Sequence, residues 1–184
     1  MLYIIGGVSR SGKSLLAHKI LKEKLIPFFP LDGLIGMLTH SAPEHGVRHQ
    51  NDFVDKSEKT WKFSKELFKY LFKTQELYLV EGDCILPKQI AELQVDYPQE
   101  IKSCFMGYTT LTAKQKLDLV RMYNKGEEDW TNKHDDEAML EMIEAMIVYS
   151  KYLKGECEKY NIPFFDVSEN FEKVQDEAYE FLIG

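Results

Sequence analysis

The sequence predicts an α/β chain in which a parallel sheet is covered by helices on both faces. Three observations carry this. Short apolar runs of strand length alternate with segments whose apolar residues recur at helical spacing. A glycine-rich stretch, Gly7-Val8-Ser9-Arg10-Ser11-Gly12-Lys13-Ser14, joins the first such strand to the first such helix. Ile-Pro-Phe-Phe opens a strand at residues 26–29 and again at 162–165. Proline cannot donate to a ladder, so those two strands belong at the sheet edges, and the repeat reads as shared edge chemistry rather than duplication.

The elements follow in order. Leu-Tyr-Ile-Ile at 2–5 is a buried strand entering a Gly-Gly turn. Leu16, Ala17, Ile20 and Leu21 share one face of a helix over 13–24. A second strand covers 26–32. Residues 33–56 hold three histidines and one arginine without a clear period, and read as irregular. A helix follows over 57–73, with Trp61, Phe68, Leu71 and Phe72 on one stripe. Residues 77–83 form the third strand. Pro87 suits the first turn of a helix over 87–94, and Pro98 ends it. The fourth strand covers 101–108. Thr112 and Gln115 fit a capping box that starts a helix running to about Tyr123. A polar loop leads to a long helix over 136–160, with Met139, Met142, Met146, Leu153 and Cys157 near one face. The fifth strand lies at 162–168, and a last helix at 170–182.

Composition narrows the function classes. The 184 residues suit one domain over 1–184, long enough to bury about 70% of the unfolded surface without staples. Apolar content of 44% and charged content of 29% are those of a water-soluble globular chain. Cys84, Cys104 and Cys157 form no C-x-x-C pair, so no disulfide framework or zinc site is expected, and a cytoplasmic, reducing setting fits. The N-terminus lacks the basic region and apolar length of a secretory signal, and no stretch approaches the roughly 20 apolar residues of a membrane span. A net charge of −7 with no basic block argues against nucleic acid. A small molecule is therefore the expected partner. The sequence carries no signature of oligomeric state.

Gly7 to Ser14 fits G-x-x-x-x-G-K-[ST] without mismatch. Placed between a strand and a helix, that pattern is a phosphate-binding loop: successive backbone N–H groups and the helix dipole meet the anion, and glycines allow close approach. Residues 7–15 (Gly7, Val8, Ser9, Arg10, Ser11, Gly12, Lys13, Ser14 and Leu15) are the expected nucleotide contacts. Lys13 is suited to the β- and γ-phosphates, and Ser14 to Mg²⁺.

Candidates for the rest of a site cluster at the carboxyl ends of the strands, where open parallel sheets bind ligands. Asp32 ends the second strand and suits a proton acceptor for a substrate hydroxyl, a ligand to a magnesium-bound water, or a cap on the residues that follow. Glu81 and Asp83 end the third strand on a shared face, with Gly82 leaving room for a ligand, so Glu81 and Gly82 are also substrate-side candidates. Glu81, nearer the buried strand, is preferred as the magnesium-side acid, with Asp83 the alternative or a solvated loop acid. Among only three arginines, Arg10 lies in the loop, Arg48 in the irregular segment and Arg121 at a helix end. Arginine suits phosphate oxygens, so Arg48 is a substrate-side candidate and Arg121 a catalytic one, against surface ion pairs for both. His40, His45 and His49 lack the ligand set of a metal site and read as a polar substrate-side loop.

The whole pattern resembles the small phosphate-loop kinases of the adenylate-kinase-like superfamily. Pro-Leu-Asp-Gly-Leu-Ile at 30–35 is similar to the strand-two aspartate segment of the chloramphenicol-phosphotransferase and zeta-toxin branch, where that acid is the base. Leu79 to Pro87 is similar to the strand-three segment of 2-phosphoglycerate-kinase-like proteins. Phe164 to Val174 is similar to the last strand and loop, which in these kinases lies near the nucleotide base. The resemblance implies a three-layer fold with strand order 2-3-1-4-5, ATP with Mg²⁺, a substrate-side insertion over 33–75, and a lid over 124–134. It implies transfer of the γ-phosphate to a small hydroxylated or phosphorylated metabolite or nucleotide. Lids of this family commonly carry several arginines. This one carries Glu127, Glu128 and Asp129, so either Lys125, Lys133 and Arg121 close it while the acids face water, or it does little. The alternatives are a nucleotide-binding module without chemistry and an NTPase switch. The latter finds weak support: Asn124-Lys125-Gly126-Glu127 departs from N-K-x-D at its last residue, and no D-x-x-G follows strand three.

Overall fold

The computed structural model of the chain describes residues 1–74, 77–124, 126 and 129–184. Strands β1 (Leu2–Gly7), β2 (Phe28–Pro30), β3 (Tyr78–Glu81), β4 (Ile101–Gly107) and β5 (Phe164–Asp166) form one parallel sheet in the order β2-β3-β1-β4-β5. The two proline-led strands are its edges. Each proline lends a carbonyl to its inner neighbour: Leu79 N donates to Pro27 O at 2.9 Å, and Phe105 N to Pro163 O at 2.9 Å. The bond the proline cannot make is never required.

The inner strands are buried on both faces. Ile4, Ile5, Leu79, Val80, Cys104, Phe105 and Met106 have no exposed surface, which in a parallel sheet requires a helical layer on each side. Helices α1 (Lys13–Lys24) and α7 (Phe171–Ile183) pack on each other. Helix α6 (Asp136–Tyr160) packs on β4 and against α4 (Pro87–Asp96) and α5 (Ala113–Met122). The capping box at the start of α5 is formed: Gln115 N donates to Thr112 Oγ1 at 3.2 Å, and Thr112 N to Gln115 Oε1 at 2.9 Å.

The segment expected to be irregular is mostly helical. Helix α2 covers Leu31–Ser41, a single 3₁₀ turn covers Pro43–His45, and α3 runs over Phe53–Thr74. Gly33 and Gly36 each weaken a helix by about 1 kcal/mol, but Leu31, Ile35 and Leu38 stand at i, i+4 and i+7 and are all buried. Burial of three large side chains, each worth about 2 kcal/mol, outweighs the two glycines. Helix α3 starts four residues before the expected 57 because its first buried positions, Lys56, Ser57, Thr60 and Ser64, are polar or small.

The register brings Gly7, Pro30, Glu81, Gly107 and Asp166 to the same rim of the sheet: Ile5 pairs with Glu81, Pro30 with Glu81, Gly7 with Met106 and Gly107 with Asp166. The phosphate-loop motif, Asp32 and the acids after β3 all emerge there.

Candidate active site

The loop between β1 and α1 is held from inside. Val8 N donates to Met106 O at 3.1 Å, and Ser11 Oγ donates to Val8 O at 2.8 Å. Gly7 and Gly12 adopt φ of 129° and 97°. A Cβ on Gly7 would stand 2.0 Å from Met106 O, and one on Gly12 would strike Gln175 and Phe171. The motif's two glycines are thus demanded by backbone conformation and close packing together. No side chain caps α1 among the described residues, so the first-turn amides face an anion site at the positive end of the helix. Lys13 is buried, and its Nζ donates to Val8 O at 2.7 Å, curling over the loop. The Leu15 side chain points outward and is 51% exposed, so only its backbone is available to a nucleotide.

Glu81, the last residue of β3, and Asp83, just beyond it, face this loop. Ser14 Oγ donates to Glu81 Oε1 at 3.0 Å, and Ser9 Oγ donates to Asp83 Oδ2 at 3.2 Å. Burial pushes the Glu81 carboxyl above its ordinary range, and the Lys13 charge and the Ser14 hydrogen bond pull against that. Asp83 is not a solvated loop acid: it is 8% exposed and pairs with Lys56 Nζ of α3 at 3.1 Å. Gly82 offers no room to a ligand side chain, because a Cβ there would meet Leu31 Cβ at 2.9 Å. The bareness of this glycine admits α2.

Asp32 lies in the first turn of α2 rather than at the end of a strand, and caps nothing; Pro30 is the residue before the helix. Its residue surface is open to solvent. Crowding by protein still lifts its pKa, chiefly through desolvation and then through the Asp83 charge, while Lys13, Lys56 and His49 oppose the rise. The charges of Asp32 and Lys13 act on each other, and the order β2-β3-β1 sets Glu81 and Asp83 between the elements that carry them.

Arg48 turns away from the substrate role expected of it, and Arg121 forms the ion pair that was its alternative. Arg48 turns back on its own segment, with Nη1 on Val47 O at 2.8 Å and Nη2 on Pro43 O at 3.2 Å. Arg121 binds Asp136 Oδ1 from Nε and Nη2 at 3.0 and 2.8 Å, and also Thr131 O and His134 O. It ties α5 to the entrance of α6. Arg10 stands at φ 63°, a left-handed conformation rare for a non-glycine residue. Its guanidinium pairs with Asp129 and lies 5.5 Å from the Trp130 ring centroid. The lid acids do not all face water: Asp129 is buried against the phosphate loop. Lys125, Glu127 and Glu128 lie outside the described residues.

Sequence reasoning missed Lys56, Lys116 and the inward role of Asp129. Lys116 is 6% exposed, donates to Arg10 O at 2.8 Å and lies 4.2 Å from the Tyr108 ring centroid. The signal for Lys56 was its spacing: 56, 60, 64 and 68 extend the buried stripe of α3 back by three turns. Lys133 and the histidines at 40 and 49 are exposed, and among the described residues no cluster of metal-ligating side chains forms around them.

The hydroxyl of Ser14 and the carboxylate of Glu81 are hard oxygen donors beside Lys13 and the amides of α1. That donor set fits Mg²⁺ on a nucleotide's phosphates.

No family model and no curated protein matches the chain. Solved structures with the same fold do. A sugar kinase from Janibacter superposes with a TM-score of 0.59 at 13% identity, covering 98% of this chain and 93% of that one. A gluconokinase from Sinorhizobium meliloti gives 0.57 at 17%, covering 98% and 90%. A shikimate kinase from Bacteroides thetaiotaomicron gives 0.57 at 15%, covering 99% and 98%. The chain has the three-layer fold of these phosphate-loop kinases.

Proposed function

We propose that the chain is an ATP-dependent phosphotransferase that moves a γ-phosphate to a hydroxyl group of a small molecule. The observation that carries this reading is the common rim: the register brings the phosphate loop, Glu81 and the start of α2 with Asp32 to the same end of the sheet, where the Lys13 and Asp32 charges act on each other. A loop alone binds nucleotide, whereas a loop faced by a solvent-reachable acid of raised pKa has a proton acceptor for a transferase. The kinase names of the structural neighbours agree with it. The Asp32 segment favours the chloramphenicol-phosphotransferase and zeta-toxin branch, and the strand-three segment the 2-phosphoglycerate-kinase-like branch.

The residues divide the work as follows. The amides of the loop and of the first turn of α1 bind the phosphates. Lys13 leaves Val8 O for the terminal phosphate oxygens. Ser14 and, through water, Glu81 would hold Mg²⁺, which would neutralise charge on the phosphates when bound. The acceptor's oxygen bonds to the γ-phosphorus as the bond from that phosphorus to the β–γ bridging oxygen breaks, ADP departs, and the acceptor's proton passes to Asp32. Segments α2 and α3 form the acceptor side, and the lid excludes water so that the phosphate is not lost to hydrolysis. With three unpaired, buried cysteines, we place the protein in a reducing cytosol. Among the described residues no helix is long and apolar enough to cross a membrane.

Labelled γ-phosphate followed from ATP across an acceptor panel tests the reading. Wild type transfers label to at least one acceptor and Lys13→Ala does not. Tight ATP binding with no transfer to any acceptor would leave a nucleotide-binding module in its place.

A further inference from the structure

The acceptor side of the cleft has an unequal charge inventory. Exposed His49 lies near Asp32, and the buried cation, Lys56, is already matched: Nζ lies 3.1 Å from Asp83 Oδ2, with the two side chains 4% and 11% exposed. Arg48, the nearest arginine in sequence, spends its guanidinium on the carbonyls of Val47 and Pro43. Against these stand Asp32, open to solvent, and Asp83, whose Oδ1 is buried and makes no hydrogen bond among the described residues. A buried carboxylate oxygen without a donor is rare and points to a donor absent from the chain itself.

We infer that the acceptor is a hydroxyl compound without an anionic group, a neutral polyol or an amino alcohol, whose O–H or N–H groups donate to Asp83 Oδ1 and Asp32. This rests on the kinase reading and narrows it. A carboxylated or phosphorylated acceptor that drew on the buried cation there would take Lys56 from Asp83, leaving that carboxylate charged, buried and unpaired, the costliest way to open a buried pair. It would also approach Asp32 against like charge. A neutral or cationic acceptor meets neither obstacle and satisfies the orphaned oxygen. The inference separates this site from one that takes a sugar acid, a sugar phosphate or a nucleoside monophosphate.

The test uses the full chain with a non-hydrolysable ATP analogue and Mg²⁺, and measures binding calorimetrically over matched sets: glucose and glucosamine against gluconate and glucose 6-phosphate, adenosine and cytidine against their 5′-monophosphates, and serinol against glycerate and 2-phosphoglycerate. At least one neutral or cationic member binds, ten-fold or more tighter than its anionic partners. Asp83→Asn releases the Lys56 charge and narrows that ratio ten-fold or more, and Lys56→Met does not narrow it. Tighter binding of an anionic member, binding of no member, or a ratio unmoved by Asp83→Asn overturns the inference. Binding with the expected preference but without label transfer from ATP sinks the kinase reading and leaves the charge selectivity standing.

Discussion

The guanidinium of Arg10 in the phosphate loop pairs with the carboxylate of Asp129, 119 residues later in the chain, and the Asp129 side chain is only 2% exposed. Thr131 N and Oγ1 donate to the same carboxylate oxygen at 3.1 and 2.9 Å. The segment ahead of α6 thus meets the loop through an acid that pairs with an arginine the loop supplies. Asp129→Ala leaves a largely buried guanidinium without its partner and lowers unfolding free energy by about 3 kcal/mol. Adding Arg10→Gly removes that charge and also relieves the left-handed backbone, so the double variant regains more than half of the loss. Chemical denaturation of the two single variants and the double variant checks this; simple additivity would contradict it.

The raised pKa of Asp32 sets a pH dependence. Desolvation and then the Asp83 charge hold the acid form above the ordinary 3.8, so the base is lost as pH falls through the raised value. Transfer rate then falls ten-fold per pH unit on the acid side. Asp83→Asn removes a neighbouring negative charge and moves that limb to lower pH. Stability runs the other way. A carboxyl raised in the folded state adds least penalty below its unfolded pKa and loses stability as pH rises through the folded one. Asp32→Asn therefore melts higher than wild type at pH 7, and the gap closes below 3.8.

Ser14 and Glu81, the pair assigned to Mg²⁺ in the proposed function, share a hydrogen bond of 3.0 Å beside the loop. Ser14→Ala and Glu81→Gln each raise the Mg²⁺ concentration needed for half-maximal nucleotide binding about ten-fold, in line with the loss of one metal-orienting group. Affinity for metal-free nucleotide changes little. A fluorescent ATP analogue titrated with Mg²⁺ separates the two; equal loss with and without metal would place both residues elsewhere.

Lys116 couples the loop to pH from below. Burial first, then the Arg10 charge, lower its pKa to about 8. Its ammonium is charged at neutrality and donates to Arg10 O. As pH rises past about 8, the loop loses a nearby positive charge and ATP affinity drops. Stability moves oppositely, because the cost of charging a buried lysine is carried below about 8 and relieved as pH rises toward the ordinary 10.5. Lys116→Met flattens the affinity profile across this range.

What could be read from sequence followed the strength of the local signal. The motif at 7–14, the proline-led edge strands, the Thr112 cap and α6 each rest on residues that act within a few positions of themselves, and each is found where expected. Helix α2 was obscured because Gly33 and Gly36 speak against a helix that only tertiary burial of Leu31, Ile35 and Leu38 sustains. Lys56 was hidden because a lysine on a buried stripe reads as the end of that stripe until its partner, Asp83 on another element, is in place. Arg48 and Arg121 drew attention by rarity, yet their partners are carbonyls and a carboxylate of neighbouring segments. Rarity says nothing of direction. Asp129 read as an acid facing water because its arginine lies 119 residues away.

The central claim is that Lys13 and Asp32 serve one phosphoryl group from opposite sides of a cleft. Single-turnover transfer of labelled γ-phosphate by Asp32→Asn, alongside its ATP affinity, tests it most directly. The account predicts ATP affinity within about two-fold of wild type and transfer slowed by about 10²–10⁴-fold, the range of a lost general base. Transfer at the wild-type rate in Asp32→Asn would contradict it.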